Sequence, residues 1–458
     1  MAQPRVIVVG AGPAGTRCAE TLVAAGLRPV VIDEGRRDGG QIYRRQPEGF
    51  TRPYRALYGT EAGRAAAVHE TFDRLKEKID YRPETLVWNI AGDEVHTVSG
   101  TTARSLAFDA LILCTGATDR LMPVKGWHLA GAYSLGGAQV ALKSQACSIG
   151  HRVVFLGSGP LLYLVASQYL KAGATVAAVL DTSPFSLRVG ALPKLAAQPG
   201  VLWNGLMLAL ALKRAGVAVH TGVTPLEIEG TPEDGVTGVV FQDIRGRRHQ
   251  VACDAAALGY HLRPETQLAD LARCGFAFDE RTRQWLPIRD EDGRSSVPGV
   301  YLAGDGAHIL GARAAEDAGR LAALAALKDT GLPVDAGELA RLRQGMAGYA
   351  RFAQGLAEAF PWPAEQAARL PDDAIVCRCE AISAGELRRV VRDMDAREAN
   401  RAKAFSRVGM GRCQGRYCGH AGAEVIAAAA GVPVREVGRL RGQAPVKPLP
   451  AAIEEETP

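Results

Sequence analysis

At 458 residues the chain is too long for a single hydrophobic core, and roughly two to four packed domains are expected. With 47% hydrophobic and 22% charged residues the composition is that of a globular α/β protein, while 54 Lys and Arg against 49 Asp and Glu is too even a balance for a nucleic-acid-binding surface. The most apolar runs, Leu206–Leu212 and Ile426–Ala430, fall short of the roughly 18–20 residues of a membrane-spanning helix, so no span is expected.

The opening MAQPRVIVVGAG enters a strand at Val6–Val9 without room for a signal peptide, which predicts a cytoplasmic location. Gly10-Ala-Gly12-Pro13-Ala14-Gly15 then turns into a helix over Ala14–Ala25. The first glycine permits the tight turn, the second lets backbone approach a pyrophosphate, and the third packs helix on strand, with the helix N-terminus facing the phosphates. The next strand, Val30–Ile32, ends in Asp33 and Glu34, and Glu34 is placed to accept from both ribose hydroxyls. Further strands are expected at Ala110–Cys114, Val153–Leu156, Val176–Leu180 and Val300–Leu302, with a helix over Leu161–Ala172. This alternation implies parallel sheets built from βαβ units.

Val153–Asp181 repeats the design of Val6–Glu34: Asp181 follows Gly157 by 24 residues, as Glu34 follows Gly10 by 24. The second turn, Gly157-Ser-Gly159-Pro160-Leu-Leu162, is damaged. Leu162 stands where the third glycine belongs and Pro160 removes an amide that would face a phosphate. A lobe retained for its fold is expected there, rather than strong NAD(P)H binding. No CxxC pair accompanies Cys147, which argues against a dithiol reductase.

After Val300–Leu302 the run Ala303-Gly304-Asp305-Gly306 offers a carboxylate to a ribityl hydroxyl and amides to a phosphate, as an extended FAD would require. These features resemble the two-dinucleotide-binding flavoproteins over residues 5–330. In that family Thr115-Gly116 correspond to the crossing between lobes, and Gly39-Gly40-Gln41 to the loop beside the isoalloxazine.

Proline and charge between Pro361 and Asp373 mark a boundary near residue 370. Beyond it Cys377-Arg-Cys379 and Cys413-Gln-Gly-Arg-Tyr-Cys418 flank a helical segment, Ala384–Met394, so that four thiolates can converge. Arg378, Arg412 and Arg416 would offset the charge of an iron–sulfur cluster, while spacing alone leaves structural zinc open. CRCE together with GMGRCQGRYCG resembles the ferredoxin-like [2Fe-2S] module at the C-terminus of certain flavoprotein subunits.

The whole chain resembles the A (α) subunits of opine oxidases, the B subunit of hydrogen cyanide synthase and the larger subunits of D-amino-acid or D-hydroxyproline dehydrogenases. That resemblance implies an α/β fold with two interleaved Rossmann-like dinucleotide-binding lobes plus a small, mainly helical [2Fe-2S] domain. Residues 1–120 and 255–335 form the FAD-binding lobe and 121–254 the second, NAD(P)-like lobe. A helical linker at 336–371, the cysteine module at 372–436 and a proline-rich arm at 437–458, able to lie across a partner, complete the chain. It further implies an electron-transfer role beside a D-amino-acid-oxidase-like flavoprotein subunit, with room for FMN at the interface and for a small additional subunit. FAD would contact Gly10, Gly12, Pro13, Ala14, Gly15, Asp33, Glu34, Gly40, Gln41, Thr115, Gly116, Gly304 and Asp305; the cluster would be held by Cys377, Cys379, Cys413 and Cys418. No catalytic acid–base pair stands out: His128, His261, His308 and His420 are isolated, His308 being the one beside the flavin turn. An NAD(P)H-dependent flavin and iron–sulfur reductase, and a non-enzymatic assembly or sensor component, are the alternatives.

Overall fold

The computed structural model describes residues 3–455; the first two residues of the range 1–120 and the last three of 437–458 lie outside it. Two five-stranded parallel sheets form its frame. The first runs Val300–Leu302, Ala110–Leu113, Val6–Val9, Val30–Ile32, Asp80–Arg82. Its central strands, VIVV and ALIL, are buried throughout, because helices on one side and a small antiparallel sheet on the other leave neither face to solvent. The helix Pro13–Ala24 packs on Ala312–Asp329 so closely that a Cβ on Gly319 would lie 2.1 Å from the Ala14 carbonyl oxygen.

The second sheet runs Ala218–Thr221, Thr175–Asp181, Arg152–Ser158, Ala255–Tyr260, Ala132–Ser134. Ala255–Tyr260 lies inside this sheet, so the chain returns to the first lobe after Tyr260 and not at the expected 255. The run AAALGY is buried on both faces there, with Ala255 and Ala257 in one core and Ala256 and Leu258 in another. Two antiparallel sheets absent from the expected strands flank the frame. Thr85–Ala91, Glu94–Ser99 and Thr102–Ala107 lie on the first lobe, and Thr224–Thr231, Gly235–Gln242 and Arg248–Ala252 on the second.

Asp335 caps the helix Ala336–Ala359 through Gly337 and Glu338 N–H groups at 2.7 and 3.2 Å. This helix carries the chain onto the second lobe, where Phe352, Ala359 and Phe360 enter the core. The cysteine module that follows is built from helices Ala384–Met394, Ala399–Ser406 and Gly419–Ala430. A reciprocal cap between Ser383 and Glu386 starts the first of them, and Val376, Leu387, Ala421 and Val425 form the core beneath the cysteines.

The arm runs along its own first lobe: Val446 is 2% exposed in a core with Ile7 and Leu111, its N–H donates to the Trp88 carbonyl at 3.2 Å, and Glu454–Glu455 pair with Thr102 and Ala103. Arg439 fastens its root to Asp270 through two bonds of 2.6 and 2.9 Å. Apolar burial of Val446 and an ion pair thus offset the ordering cost of a proline-rich segment. Among the described residues no helix is long and apolar enough to cross a membrane.

A candidate dinucleotide cradle and cysteine centre

The first glycine turn sits where three other segments meet it. The Gly39 N–H donates to the Ala11 carbonyl at 2.9 Å, and a Cβ on Gly40 would come within 2.9 Å of the Gly12 Cα. Gly304, with φ +67°, lies against Ala14, whose Cβ an added Cβ would meet at 2.9 Å. A Cβ on Gly306 would lie 2.5 Å from Thr115 Oγ1 and 3.0 Å from the Gly116 nitrogen. These contacts bring the turn from Gly10 to Gly15, Gly40, Thr115, Gly116 and Gly304 together at the N-terminus of Pro13–Ala24, an arrangement that fits a dinucleotide pyrophosphate.

The acids play different parts. Asp33 accepts from the N–H groups of Ala11 and Gly35, both at 2.6 Å, and braces the turn; burial pushes its carboxyl above the usual range despite those bonds. Glu34, half exposed, forms an ion pair with Lys447 of the arm, so the arm reaches the carboxylate expected at the ribose. Asp305 is also raised by burial, against N–H donors of Leu310 at 2.9 Å and Gly311 at 3.0 Å that occupy its Oδ1. Gln41 is exposed and accepts from Arg44.

In the cysteine module Cys377 and Cys418 are buried, Cys413 is half-buried and Cys379 is exposed, and the four thiols act on one another's charge. The neighbouring Cys418 thiol brings Cys377 down to about 6 and Cys413 to about 5, with the N–H groups of Gly409 and Glu380, and of Tyr417 and Gly415, adding to the effect. Cys418 is driven up by the same two neighbours, and burial raises Cys379. The loop passes tightly over this group, since a Cβ on Gly411 would lie 2.2 Å from the Cys379 Cβ. The four thiols, beside the N-terminus of Gly419–Ala430, are a donor set that fits a [2Fe-2S] cluster.

One short segment of the first lobe joins cradle and cysteines. The Glu265 N–H donates to the Gly116 carbonyl at 2.9 Å and its carbonyl accepts from Thr115 Oγ1 at 2.6 Å. Its carboxylate meets Arg416 Nε at 2.7 Å. Arg263 Nη1 donates to the Arg416 carbonyl at 3.0 Å and Gln267 Nε2 to the Gln414 carbonyl at 2.6 Å. Beside it a cavity of about 70 Å³, with room for a few waters, is lined by Arg263, Gln267, Trp285, Gln414 and His420. Trp285 Nε1 and Gln267 Oε1 are buried there without partners among the described residues.

The corresponding surface of the second lobe is filled by the chain itself. Leu162 is fully buried and takes the space a third glycine would leave. The ring of His261 lies on Gly159 and bonds through Nε2 to the Phe360 carbonyl at 2.9 Å, so the linker after Ala336–Ala359 holds it down. Asp181 is wholly buried, bonded to Tyr163 Oη and the Ser183 N–H at 2.7 and 2.8 Å and paired with Arg188. Burial lowers His261 to about 4, so the ring is neutral. Of the other histidines, His128 is exposed and His308 accepts from Arg289 at 3.2 Å, with burial lowering it to about 4. Burial, then Arg120 and Arg263, hold His420 well below its ordinary range.

Residues 4–322 match the model of the pyridine nucleotide-disulphide oxidoreductases, and residues 375–428 that of the BFD-like [2Fe-2S] binding domain. The A subunit of opine oxidase from Rhizobium meliloti is 38% identical over 97% of this chain and 86% of its own. The HcnB subunit of hydrogen cyanide synthase from Pseudomonas aeruginosa is 31% identical over 97% of both chains. Among solved structures, L-proline dehydrogenase from P. horikoshii shares the fold, with TM-score 0.68 and 20% identity over 98% of this chain and 78% of that one.

Proposed function

Because the chain belongs to the pyridine nucleotide-disulphide oxidoreductase family, in the group that includes HcnB and the A subunits of opine oxidases, we propose that it is the FAD- and [2Fe-2S]-containing electron-transfer subunit of a hetero-oligomeric dehydrogenase. The donor is the CH–NH group of an opine, a D-amino acid or hydroxyproline. A D-amino-acid-oxidase-like flavoprotein subunit takes that substrate, with a small additional subunit completing a cytoplasmic complex.

The observation that carries this reading is the filled second lobe. With His261 on Gly159 and Asp181 bonded to Tyr163, Ser183 and Arg188, a pyridine nucleotide has no seat, and reducing equivalents arrive from another chain. When bound, FAD supplies a two-electron carrier and the cluster a one-electron carrier. The chain's own residues position them: Gly10 to Gly15, Gly40, Thr115, Gly116, Gly304 and Asp305 around the dinucleotide, and Cys377, Cys379, Cys413 and Cys418 around the irons. Glu34 reaches the ribose by giving up Lys447.

The isolated chain is expected to oxidise none of these amines with an artificial dye, and co-expression with the oxidase-like subunit to produce turnover on one of them. Full turnover by the isolated chain would overturn the reading. The reading leaves room for FMN at the interface, which mass analysis of flavins released from the complex would decide.

A further inference from the structure

Three arginines follow or precede the cysteines in sequence, yet none supplies a buried, uncompensated charge beside them. Arg378 donates to the Ala132 carbonyl at 3.2 Å and lies over the Trp127 ring; Arg412 is exposed, where solvent and salt screen it. Arg416 is buried but neutralised by Glu265 at 2.7 Å. Arg283 and Arg439 are likewise paired, with Glu424 and Asp270.

Arg263 is different. It comes from the strand Leu262–Pro264 of the first lobe, is 7% exposed, and its hydrogen bonds go only to carbonyls: Arg416 at 3.0 Å and Pro264 at 3.2 and 3.1 Å. A buried guanidinium without a carboxylate is costly unless another anion opposes it. Burial opposes the charge of Arg263, and the carboxylate nearest to it, Glu265, is shared with Arg416; its bond to the Arg416 carbonyl seats the guanidinium on the loop between Cys413 and Cys418, whose Cys413 carbonyl accepts from Arg416 Nη1 at 3.2 Å. We propose that Arg263 is the fixed counter-charge of the cysteine centre, a positioning residue that ties the cluster loop to the flavin lobe and raises the cluster's electron affinity, with Glu265 acting in the opposite sense.

The inference rests on the reading that these thiols hold a [2Fe-2S] cluster. Such a cluster is net negative and gains one further charge when it takes one electron, so a buried cation favours the reduced form and a buried anion the oxidised form. Because Glu265 also holds Thr115 and Gly116 through its backbone, the segment that sets this charge also fixes its place relative to the cradle.

The test uses the full chain with its cluster and FAD, as wild type, Arg263→Gln, Arg263→Lys and Glu265→Gln. Iron, sulfide and FAD are assayed, and cluster and flavin midpoints are followed by anaerobic potentiometry with electron paramagnetic resonance and visible absorption. Arg263→Gln is expected to lower the cluster midpoint at unchanged iron and sulfide, Arg263→Lys to restore most of it, and Glu265→Gln to raise it. The flavin midpoint should move less in each. Should Arg263→Gln fail to hold iron, the opposed shift in Glu265→Gln still decides. An unshifted or lowered midpoint in Glu265→Gln, or a fully loaded Arg263→Gln with the wild-type midpoint, would overturn the inference. A wild-type chain without iron and sulfide would instead overturn the cluster reading beneath it.

Discussion

The ring of His261 lies on the backbone of Gly159, close enough that an added Cβ would meet ring atoms at 3.2 to 3.3 Å. That ring stands where the second glycine of a dinucleotide turn would expose its backbone to a pyrophosphate. Excess NADH or NADPH mixed anaerobically with the flavin-loaded chain should therefore bleach the flavin slowly or not at all, and should leave its thermal midpoint unmoved. Rapid stoichiometric bleaching in a stopped-flow trace would refute this.

Glycines of the first turn should separate into two kinds. A Cβ on Gly12 meets only the backbone of Gly40, its Cα at 3.6 Å, an ordinary contact, so Gly12→Ala should change apo-protein stability by no more than about 0.5 kcal/mol while weakening FAD retention. A Cβ on Gly15 would lie 1.8 Å from the Gly10 carbonyl oxygen, and Gly15→Ala should cost about 2–3 kcal/mol even without flavin. Denaturant melts of apo and loaded protein distinguish these outcomes.

Replacing Cys377, Cys379, Cys413 or Cys418 singly by serine should abolish iron, sulfide and the cluster's visible absorption while FAD stays bound, because the cradle lies on separate elements of the first lobe. Stoichiometric zinc without sulfide in anaerobically purified protein would contradict the iron–sulfur assignment.

Asp270 receives two bonds from Arg439 and an N–H from Gly442 at the root of the arm. Burial alone would raise its carboxyl, but Arg439, Gly442 and Arg441 outweigh it and hold it below the ordinary value. A depressed folded value means the stabilisation is present above about pH 4 and is lost as pH falls through the folded value. At neutral pH Asp270→Asn should mimic that loss, weakening the latch by about 2 kcal/mol and speeding proteolysis within 441–455. Equal cleavage rates in variant and wild type would show that Val446 holds the arm unaided.

Strands such as VIVV and VVFL are readable in the sequence because burial on both faces leaves an uninterrupted apolar run, and the glycine turns because backbone contact with a ligand or a helix demands that residue. The small antiparallel sheets are less visible: LVWNI and EVHTVS mix apolar and polar residues with only partial alternation, a weak local signal. Contacts made across long stretches of chain leave no local mark. Nothing near Arg263 indicates that it will meet the Arg416 carbonyl, and nothing near Gly159 announces His261. The boundary expected at 255 is misplaced for a related reason, since AAALGY carries no feature that assigns it to one sheet over the other.

The packing of Pro13–Ala24 against Ala312–Asp329 bears on how this chain is made. Ala110–Leu113 gains its outer neighbour, Val300–Leu302, only after the whole second lobe has been synthesised. A fragment ending within that lobe would therefore carry an apolar strand with an open hydrogen-bonding edge and a helix lacking its cover, the features that drive aggregation of nascent chains. A working flavin lobe has to be excised by joining its two segments, because a simple truncation removes half of its core.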